Sequence, residues 1–261
     1  MRSAASTLLK VVIPLSTFAA CEGEMESKVS LVGPPAPVTT VVSDAAWSEP
    51  INVGPPISSS FLEQSPFLTD HGRSLYFSSN RTGSTGNVGT TDLWVSHRAC
   101  DDFDDCPWET PINLGPAVNT TNGEAGPSLS VDGHLLFFNS TRVTGRGMND
   151  IYMSWRSDPN DDQGWEAPIL LGPEVNTAAF EHTPFYVQTG VDAGTLYFTR
   201  GVANGVSNDI WKVEINRDGE TLGTATLVSE LSLSATNDAM ATFSAVAWTS
   251  GCLLELSKIL N

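Results

Sequence analysis

The sequence is short of positive charge. Its 261 residues include 13 Lys and Arg against 30 Asp and Glu, which gives a formal net charge of −17. A nucleic-acid-binding protein needs a basic surface to release counterions from the phosphates, and this chain has few cations from which to build one. Binding to anionic lipid through a basic patch is excluded for the same reason. We therefore expect no nucleic-acid partner and no membrane binding by charge.

The sequence also lacks the motifs of several common enzyme classes. It contains no Gly-x-Ser-x-Gly elbow, no His-Glu-x-x-His metal motif and no phosphate-binding loop. The four histidines, His71, His97, His134 and His182, form no closely spaced metal-ligand pair. These absences leave the sequence more informative about architecture and cellular address than about activity.

Charged residues of either sign make up only 16% of the chain, and Gly (22) and Pro (16) interrupt it frequently. Disorder is excluded, because 40% of the residues are apolar and the 7 Trp and 11 Phe can bury a core. The composition therefore indicates an acidic, turn-rich and folded protein.

Residues 1–20 are typical of a secretory signal. Arg2 and Lys10 are their only charges, and an apolar stretch leads to the small pair Ala19-Ala20. That stretch is shorter than the roughly 20 apolar residues of a membrane-spanning helix. Removal of the signal would leave 11 cationic side chains against 30 acidic ones, a net charge of −19. We expect an exported protein.

The segment Phe18-Ala19-Ala20-Cys21 resembles a bacterial lipobox, in which the cysteine is acylated and becomes the mature N-terminus. Phe18 departs from the aliphatic residue usual at its position, and the alternative is an ordinary signal followed by a chance cysteine. The resemblance implies a lipid anchor on Cys21. Glu22 after the cysteine implies an outer-membrane address, on its periplasmic or cell-surface face. Residues 21–45 would form a Pro-rich tether between the lipid and the folded domain.

A repeat of about 58 residues, the sign of a repeat architecture, organises the rest of the chain from residue 46 to residue 261. Each copy opens with Trp, Pro, a short apolar run and Gly-Pro. An acid and a proline follow, then two apolar strands joined by a turn, an Arg, a polar loop, and a strand that begins with Asp. Asp-Gly between apolar runs is a strong hairpin signal. The complete copies span residues 47–107, 108–164 and 165–221.

Each copy predicts four antiparallel strands, which is one blade of a β-propeller. The expected fold class is therefore an all-β propeller with three complete four-stranded blades. Residues 222–261 match only the start of a fourth copy. Two interpretations stay open for them: a truncated chain that leaves the ring open, or a divergent last blade or capping segment.

The repeat resembles a known family over residues 47–215. The pattern Pro-x-Leu-Ser-x-Asp-Gly-x-x-Leu-x-Phe-x-Ser-x-Arg followed by Asp-Ile-Trp is similar to the WD40-like β-propeller repeats of bacterial envelope proteins, the TolB-type repeats. Ser78-Ser79-Asn80-Arg81 is close to the Ser-Asn-Arg turn of that family. Ser140-Thr141-Arg142 and Thr199-Arg200 depart from it. The resemblance implies a fold more than a function, because propellers host unrelated activities.

Charged residues that recur in every copy are expected to serve the blade. We predict structural Arg–Asp pairs across the polar loop: Arg81 with Asp92, Arg142 with Asp150, and Arg200 with Asp209. Four further acids precede the first apolar strands and would converge near one face of a ring: Glu63, Glu124, Glu181 and Asp238. They are candidates for a partner-binding or cation-binding face, with capping of loop amides as the alternative.

Cys100 and Cys106 are expected to form a disulfide that pins the loop between the first two copies. The loop between them offers oxygen ligands that suit Ca²⁺, although their spacing is not that of an EF-hand. The alternative is a solvated acidic loop, and no other cofactor is expected. The candidate calcium ligands are Asp101, Asp102, Asp104 and Asp105.

These features favour a non-catalytic protein-binding or scaffold module at the cell envelope. Its partner would be an envelope or peptidoglycan-associated protein, and only the N-terminal lipid would touch the membrane. The alternative is a propeller-type glycan hydrolase or lyase that draws Asp, Glu, His and Arg side chains from the blade mouth.

Overall fold

A computed structural model describes residues 9–12, 51–69, 72–81, 91–99, 106–201, 208–232, 241–248 and 251–258. Within these ranges all the regular structure is β-strand, as the turn-rich sequence predicts. The described part of the chain accordingly contains no helix of the length and apolar character needed to span a bilayer.

Three four-stranded antiparallel sheets form the blades, and within each sheet the strands follow chain order. The expected all-β propeller with three complete blades is confirmed. Blade 1 comprises β2 (Glu63–Leu68), β3 (Ser74–Ser79), β4 (Asp92–His97) and β5 (Ile112–Asn113). Blade 2 comprises β6 (Glu124–Leu129), β7 (Leu135–Ser140), β8 (Asp150–Trp155) and β9 (Ile169–Leu170). Blade 3 comprises β10 (Phe180–Gln188), β11 (Ala193–Gly201), β12 (Asn208–Asn216) and β13 (Thr226–Leu227).

The blades are offset from the sequence repeats. The opening segment of each repeat supplies the outer strand of the preceding blade, so that β5 belongs to the second repeat but pairs with β4 of blade 1. In the same way β13, from residues 222–261, completes blade 3. Adjacent repeats are thereby joined by backbone hydrogen bonds.

A separate three-stranded sheet combines strands from the two ends of the chain, in the order β1, β15, β14. Its strands are β1 (Leu9–Val12), β14 (Ala241–Trp248) and β15 (Gly251–Lys258). The strand β1 lies within the segment predicted to be a secretory signal, and β14 and β15 form an antiparallel hairpin within residues 222–261.

Two apolar cores lie between the blades. One cluster joins blades 1 and 2 and includes Tyr76 and Phe138. The other joins blades 2 and 3, where the rings of Phe137 and Tyr186 stack with centroids 4.7 Å apart. Facing sheets that interdigitate in this way hold neighbouring blades at a fixed angle, which also fixes the positions of the loops they carry.

The first strand of each blade carries a β-bulge directly before a proline. The bulged residues are Ser65 (φ 51°), Gly126 (φ 63°) and Thr183 (φ 47°), and the pairing register shifts at each of them. Bulges bend a strand and redirect its side chains. The neighbouring blade supports two of these turns, since Gly126 N donates to Ser78 Oγ at 3.2 Å and Thr183 N donates to Asn139 Oδ1 at 3.1 Å.

Candidate active site at the blade mouth

The blade mouth is the end of the propeller at which the first strands β2, β6 and β10 begin. Three glutamates at that end, the first-strand glutamates, each bind the loop four residues earlier. Glu124 accepts hydrogen bonds from Thr120 N at 2.9 Å and Thr120 Oγ1 at 2.7 Å. Glu63 and Glu181 make the same pair of contacts with Ser59 and Thr177. Glu63, Glu124 and Glu181 therefore cap backbone amides of these loops, as the alternative interpretation of the sequence predicts.

Each first-strand glutamate also meets the arginine that follows the second strand of its blade. The N–O distances are 3.0 Å for Arg81–Glu63, 3.2 Å for Arg142–Glu124 and 3.1 Å for Arg200–Glu181. The guanidinium groups also donate to loop carbonyls, as Arg142 does to Val118 O at 2.8 Å. Each guanidinium lies over an aromatic ring of its own blade, as Arg200 does over Trp211 at 4.6 Å. This glutamate–arginine clip fastens the loop before each blade to its second strand.

The structure therefore gives the arginines a different acidic partner from the predicted one. Asp92 accepts a hydrogen bond from Asn113 Nδ2 at 2.8 Å. Asp150 accepts from Arg146 N at 3.0 Å and from Gly147 N at 3.1 Å, and so closes its own loop. Asp209 faces Arg200 in the strand register, without an ion pair between them among the described contacts. The strand-initial aspartates hold loops and strands, while the first-strand glutamates neutralise the arginines.

The expected face of free carboxylates does not form among the described residues. Glu124 and Glu181 are 0% exposed, and the Glu63 side chain is 20% exposed. Glu124 and Glu181 are thus buried and bonded within their own blades, so they do not present an exposed carboxylate surface. Asp238 lies outside the described residues, which contain no group of three or more potential metal-ligating side chains.

Several other predicted residues fall outside the description. Cys106 is disulfide-bonded, but Cys100 is outside the described ranges, so their pairing stays a prediction. The candidate lipid anchor Cys21 also lies outside them, as do the candidate calcium ligands Asp101, Asp102, Asp104 and Asp105.

One position at the mouth is ionisable in a single blade. The residue after the first-strand glutamate is Gln64 in blade 1, Ala125 in blade 2 and His182 in blade 3. The His182 ring meets Phe180 edge-on, with centroids 5.1 Å apart. Next to it is Thr183, whose hydroxyl lies 2.8 Å from that of Thr199. An imidazole, an aromatic ring and two hydroxyls thus gather where the other blades place an amide or a methyl group.

Burial lowers the pKa of His182 to about 4. Its imidazole is therefore neutral at ordinary pH and carries one nitrogen able to accept a proton. The bulge at Thr183 beside it recurs in all three blades at Ser65 and Gly126, so it belongs to the blade and only positions the His182 side chain. The neutral imidazole can accept a hydrogen bond or, as a weak base, a proton.

Two recurring contacts were missing from the sequence-based expectations. A second arginine in blades 1 and 2 lies over the Trp that opens the next repeat: Arg98 over Trp108 at 4.7 Å and Arg156 over Trp165 at 4.2 Å. The signal for this pair is an Arg after the third strand, followed within about ten residues by the Trp that opens the next repeat. The second contact is made by Asn176. Its Oδ1 accepts from Ile151 N at 2.7 Å, and its Nδ2 donates to Ile151 O at 2.8 Å.

The described chain is thus a β-propeller of four-stranded blades with a candidate site at the mouth of blade 3. No family model matches the sequence, and no curated protein matches it. Similar solved structures include an α-L-arabinofuranosidase from Podospora anserina in complex with cellotriose (TM-score 0.46, 14% identity). The match covers 78% of this chain and 61% of that one, so this chain spans less than two thirds of that enzyme.

Two further similar structures are also named as arabinan-cleaving enzymes. An endo-arabinase from Bacteroides thetaiotaomicron gives a TM-score of 0.46 at 16% identity, covering 75% of this chain and 74% of that one. An α-L-arabinanase from Cellvibrio cellulosa, complexed with arabinohexaose, gives 0.43 at 16% identity, covering 75% and 68%.

These comparisons correct two expectations. The resemblance to WD40-like, TolB-type repeats was wrong as a family assignment, since no family model matches and the similar structures are named as glycoside hydrolases. The non-catalytic scaffold was wrong as the leading function, because those names agree with the alternative, a glycan hydrolase, instead. The short blade pattern misled because apolar strands joined by Asp-Gly turns reflect blade geometry, which unrelated propellers share. The envelope partner and the outer-membrane address stay predictions.

Proposed function

We propose that this propeller acts on glycans as a hydrolase or lyase, with its site at the blade mouth around His182. The observation that carries the proposal is the place where the repeat is broken. A residue required by every blade recurs in every blade, as the glutamate–arginine clip does, whereas a site is needed once. His182 replaces Gln64 and Ala125 of the other blades and is the only ionisable side chain of the three.

The chemistry of the mouth suits a glycan. Cleavage of a glycosidic bond requires a base that takes a proton from the attacking water in hydrolysis, or from a ring carbon in elimination, and a proton, here from solvent water, for the departing glycosidic oxygen. The neutral His182 imidazole is a proton acceptor for either route. Thr183, whose hydroxyl is held by that of the buried Thr199, can exchange hydrogen bonds with a sugar hydroxyl, and Phe180 offers an aromatic ring for the apolar side of a sugar.

The test is an activity assay of the full chain on neutral polysaccharides, arabinan, xylan and soluble cellulose derivatives. New reducing ends measure all cleavage, and ultraviolet absorbance of unsaturated products identifies a lyase. We expect His182→Ala to lower the rate about 10²-fold or more, the usual contribution of a positioned base. Gln64→Ala is the matched control, because it truncates the equivalent position of blade 1.

The pH profile separates a catalytic role from a structural one. Because the His182 pKa is about 4, the wild-type rate should fall only as the pH drops toward that value. His182→Gln should lack that acid limb while remaining folded at neutral pH. Full activity of His182→Ala, or the absence of product from every glycan, would refute the proposal.

A further inference from the structure

A groove of about 440 Å³ lies on the outer side of the propeller between blades 2 and 3, away from the mouth. Blade 2 contributes Met153, Trp155, Glu166 and Ile169 with Ala167, and the turn after β12 contributes Arg217 and Asp218. Its volume falls within the roughly 300–1,000 Å³ of small-molecule sites. We name this cavity the inter-blade groove.

The aromatic wall of the inter-blade groove is held in place before any ligand arrives. Trp155 is 39% exposed, although large aromatic side chains are mostly covered in folded proteins. Its ring lies nearly parallel to that of His134, with centroids 6.2 Å apart and 14° between the planes. His134 is itself fixed, because its Nδ1 donates to Arg156 O at 2.8 Å. A preorganised ring loses little conformational entropy on binding.

The polar wall carries two exposed carboxylates and one arginine. Among the described contacts, the side chains of Glu166 and Asp218 have no hydrogen-bond or ion-pair partner, so their oxygens are available as acceptors. Arg217 already pairs with Asp132 at 2.7 Å, and this ion pair bridges the hairpins of blades 2 and 3. The groove is therefore lined by an aromatic side chain and by hydrogen-bond acceptors, and its cation is neutralised.

The equivalent boundary between blades 1 and 2 is closed. The residue at the place of Trp155 is His97, whose Nε2 lies 2.8 Å from Asp162 Oδ2. The side chain of Gln163 covers that boundary and donates to Asn113 O at 2.6 Å. A Cβ added at Gly115 would lie 2.5 Å from Gln163 Oε1, whereas one added at the equivalent Gly172 would meet nothing within 4 Å. The inter-blade groove is therefore a local departure from the repeat.

We propose that the inter-blade groove binds a neutral oligosaccharide. A sugar ring has an apolar C–H face that can stack on Trp155 and equatorial hydroxyls that can donate to Glu166 and Asp218. The unpaired carboxylates and the net charge of −17 disfavour an anionic ligand, and the charged wall disfavours a purely apolar one. The inference rests on the groove alone and holds whether or not the mouth is catalytic.

The test is titration of the full chain with cellotetraose, xylotetraose and arabinotetraose. The readouts are calorimetry and the NMR signal of the Trp155 indole N–H. At least one sugar should bind and shift that signal. Trp155→Ala should weaken binding about tenfold or more, and Trp155→Phe should retain part of it because the ring face remains. Val143→Ala is the control, because Val143 is 93% exposed and does not line the groove.

Two results would overturn the proposal. The first is that none of the three sugars binds; self-association of the chain, or binding of a cationic peptide, that Trp155→Ala abolishes would then identify a different occupant of the groove. The second is sugar binding that leaves the Trp155 signal unshifted and survives Trp155→Ala in a folded variant. Glycan cleavage is measured separately for the Trp155 and His182 variants. These activities distinguish failure of the groove proposal from failure of the proposed catalysis at the mouth.

Discussion

Two aspartates at the same position of neighbouring blades have different surroundings. Asp150, 1% exposed, accepts backbone hydrogen bonds from its own loop. Asp92, 0% exposed, has one oxygen bonded to Asn113, and its Oδ1 has no partner in the described structure. Burial raises the pKa of Asp92, aided by the nearby charge of Glu124. The Asp150 carboxylate is thus satisfied by hydrogen bonds, whereas the Asp92 carboxylate is buried with one oxygen unbonded, which is unfavourable.

Neutralising the two aspartates should therefore have opposite effects. We expect Asp92→Asn to raise the Tm at neutral pH, because it removes a buried charge and keeps an oxygen for Asn113. Asp150→Asn should lower the unfolding free energy by about 1–3 kcal/mol, because charge-assisted bonds to loop amides are lost. Urea and thermal unfolding of both variants would measure this. Equal destabilisation by the two substitutions would contradict this account of Asp92.

At the scale of the element, the glutamate–arginine clip explains how the first strand of a blade is held against its second strand and the preceding loop. The clip holds the loop before the strand, the first strand and the second strand through one guanidinium. In blade 2 it is almost fully buried, with Arg142 and Glu124 side chains 12% and 0% exposed. A buried pair is strongly destabilised when one member is removed, since the other is left charged and unpaired.

Arg142→Ala should accordingly lower the unfolding free energy by about 3–5 kcal/mol. The double variant Arg142→Met with Glu124→Gln should lose clearly less, because no charge is left unpaired. Arg146→Ala, at an exposed position of the same loop, should change stability by no more than about 0.5 kcal/mol. Denaturant unfolding curves would rank the three. A double variant as unstable as Arg142→Ala would show that the charge pair is not what matters.

The elements were largely predictable from local signals, and the partners of their side chains were not. Asp132-Gly133 marks the β6–β7 hairpin, and Gly133 adopts the left-handed φ of 73° that the turn requires. The Arg142–Glu124 contact, by contrast, spans 18 residues and depends on the bulge at Gly126 that redirects the first strand. The sequence shows His182 in the place of Gln64 and Ala125, but its burial, which depends on packing across blades and lowers its pKa, was not predictable.

At the scale of the whole molecule, polar contacts tie the blades together beside the apolar cores. His97 of blade 1 bonds to Asp162, in the loop between β8 and β9 of blade 2. Arg156 of blade 2 donates to Tyr76 Oη of blade 1 at 3.1 Å and lies 3.6 Å from Asp162. The hydrogen bond to Asp162 is the main reason that the pKa of His97 is raised.

The raised pKa makes this contact between blades sensitive to pH. Protonated His97 is favoured in the folded protein, so its stabilisation is fully present below the ordinary pKa of about 6.5 and is lost as the pH rises through the raised value. His97→Gln should therefore lower the Tm more at about pH 6 than at about pH 9. Val143→Ala should show no such difference. A Tm deficit independent of pH would mean that the His97 charge contributes nothing.

The central claim is that the mouth of blade 3, around His182, receives a glycan. A crystal structure of the full chain soaked with arabinotetraose, xylotetraose or cellotetraose tests it most directly. The account predicts a sugar at the mouth with a hydroxyl or glycosidic oxygen within hydrogen-bonding distance, about 3 Å, of a His182 nitrogen. It also predicts that density at this place is lost in His182→Ala and kept in Gln64→Ala. Sugar density in the inter-blade groove alone, or in neither place, would contradict the claim.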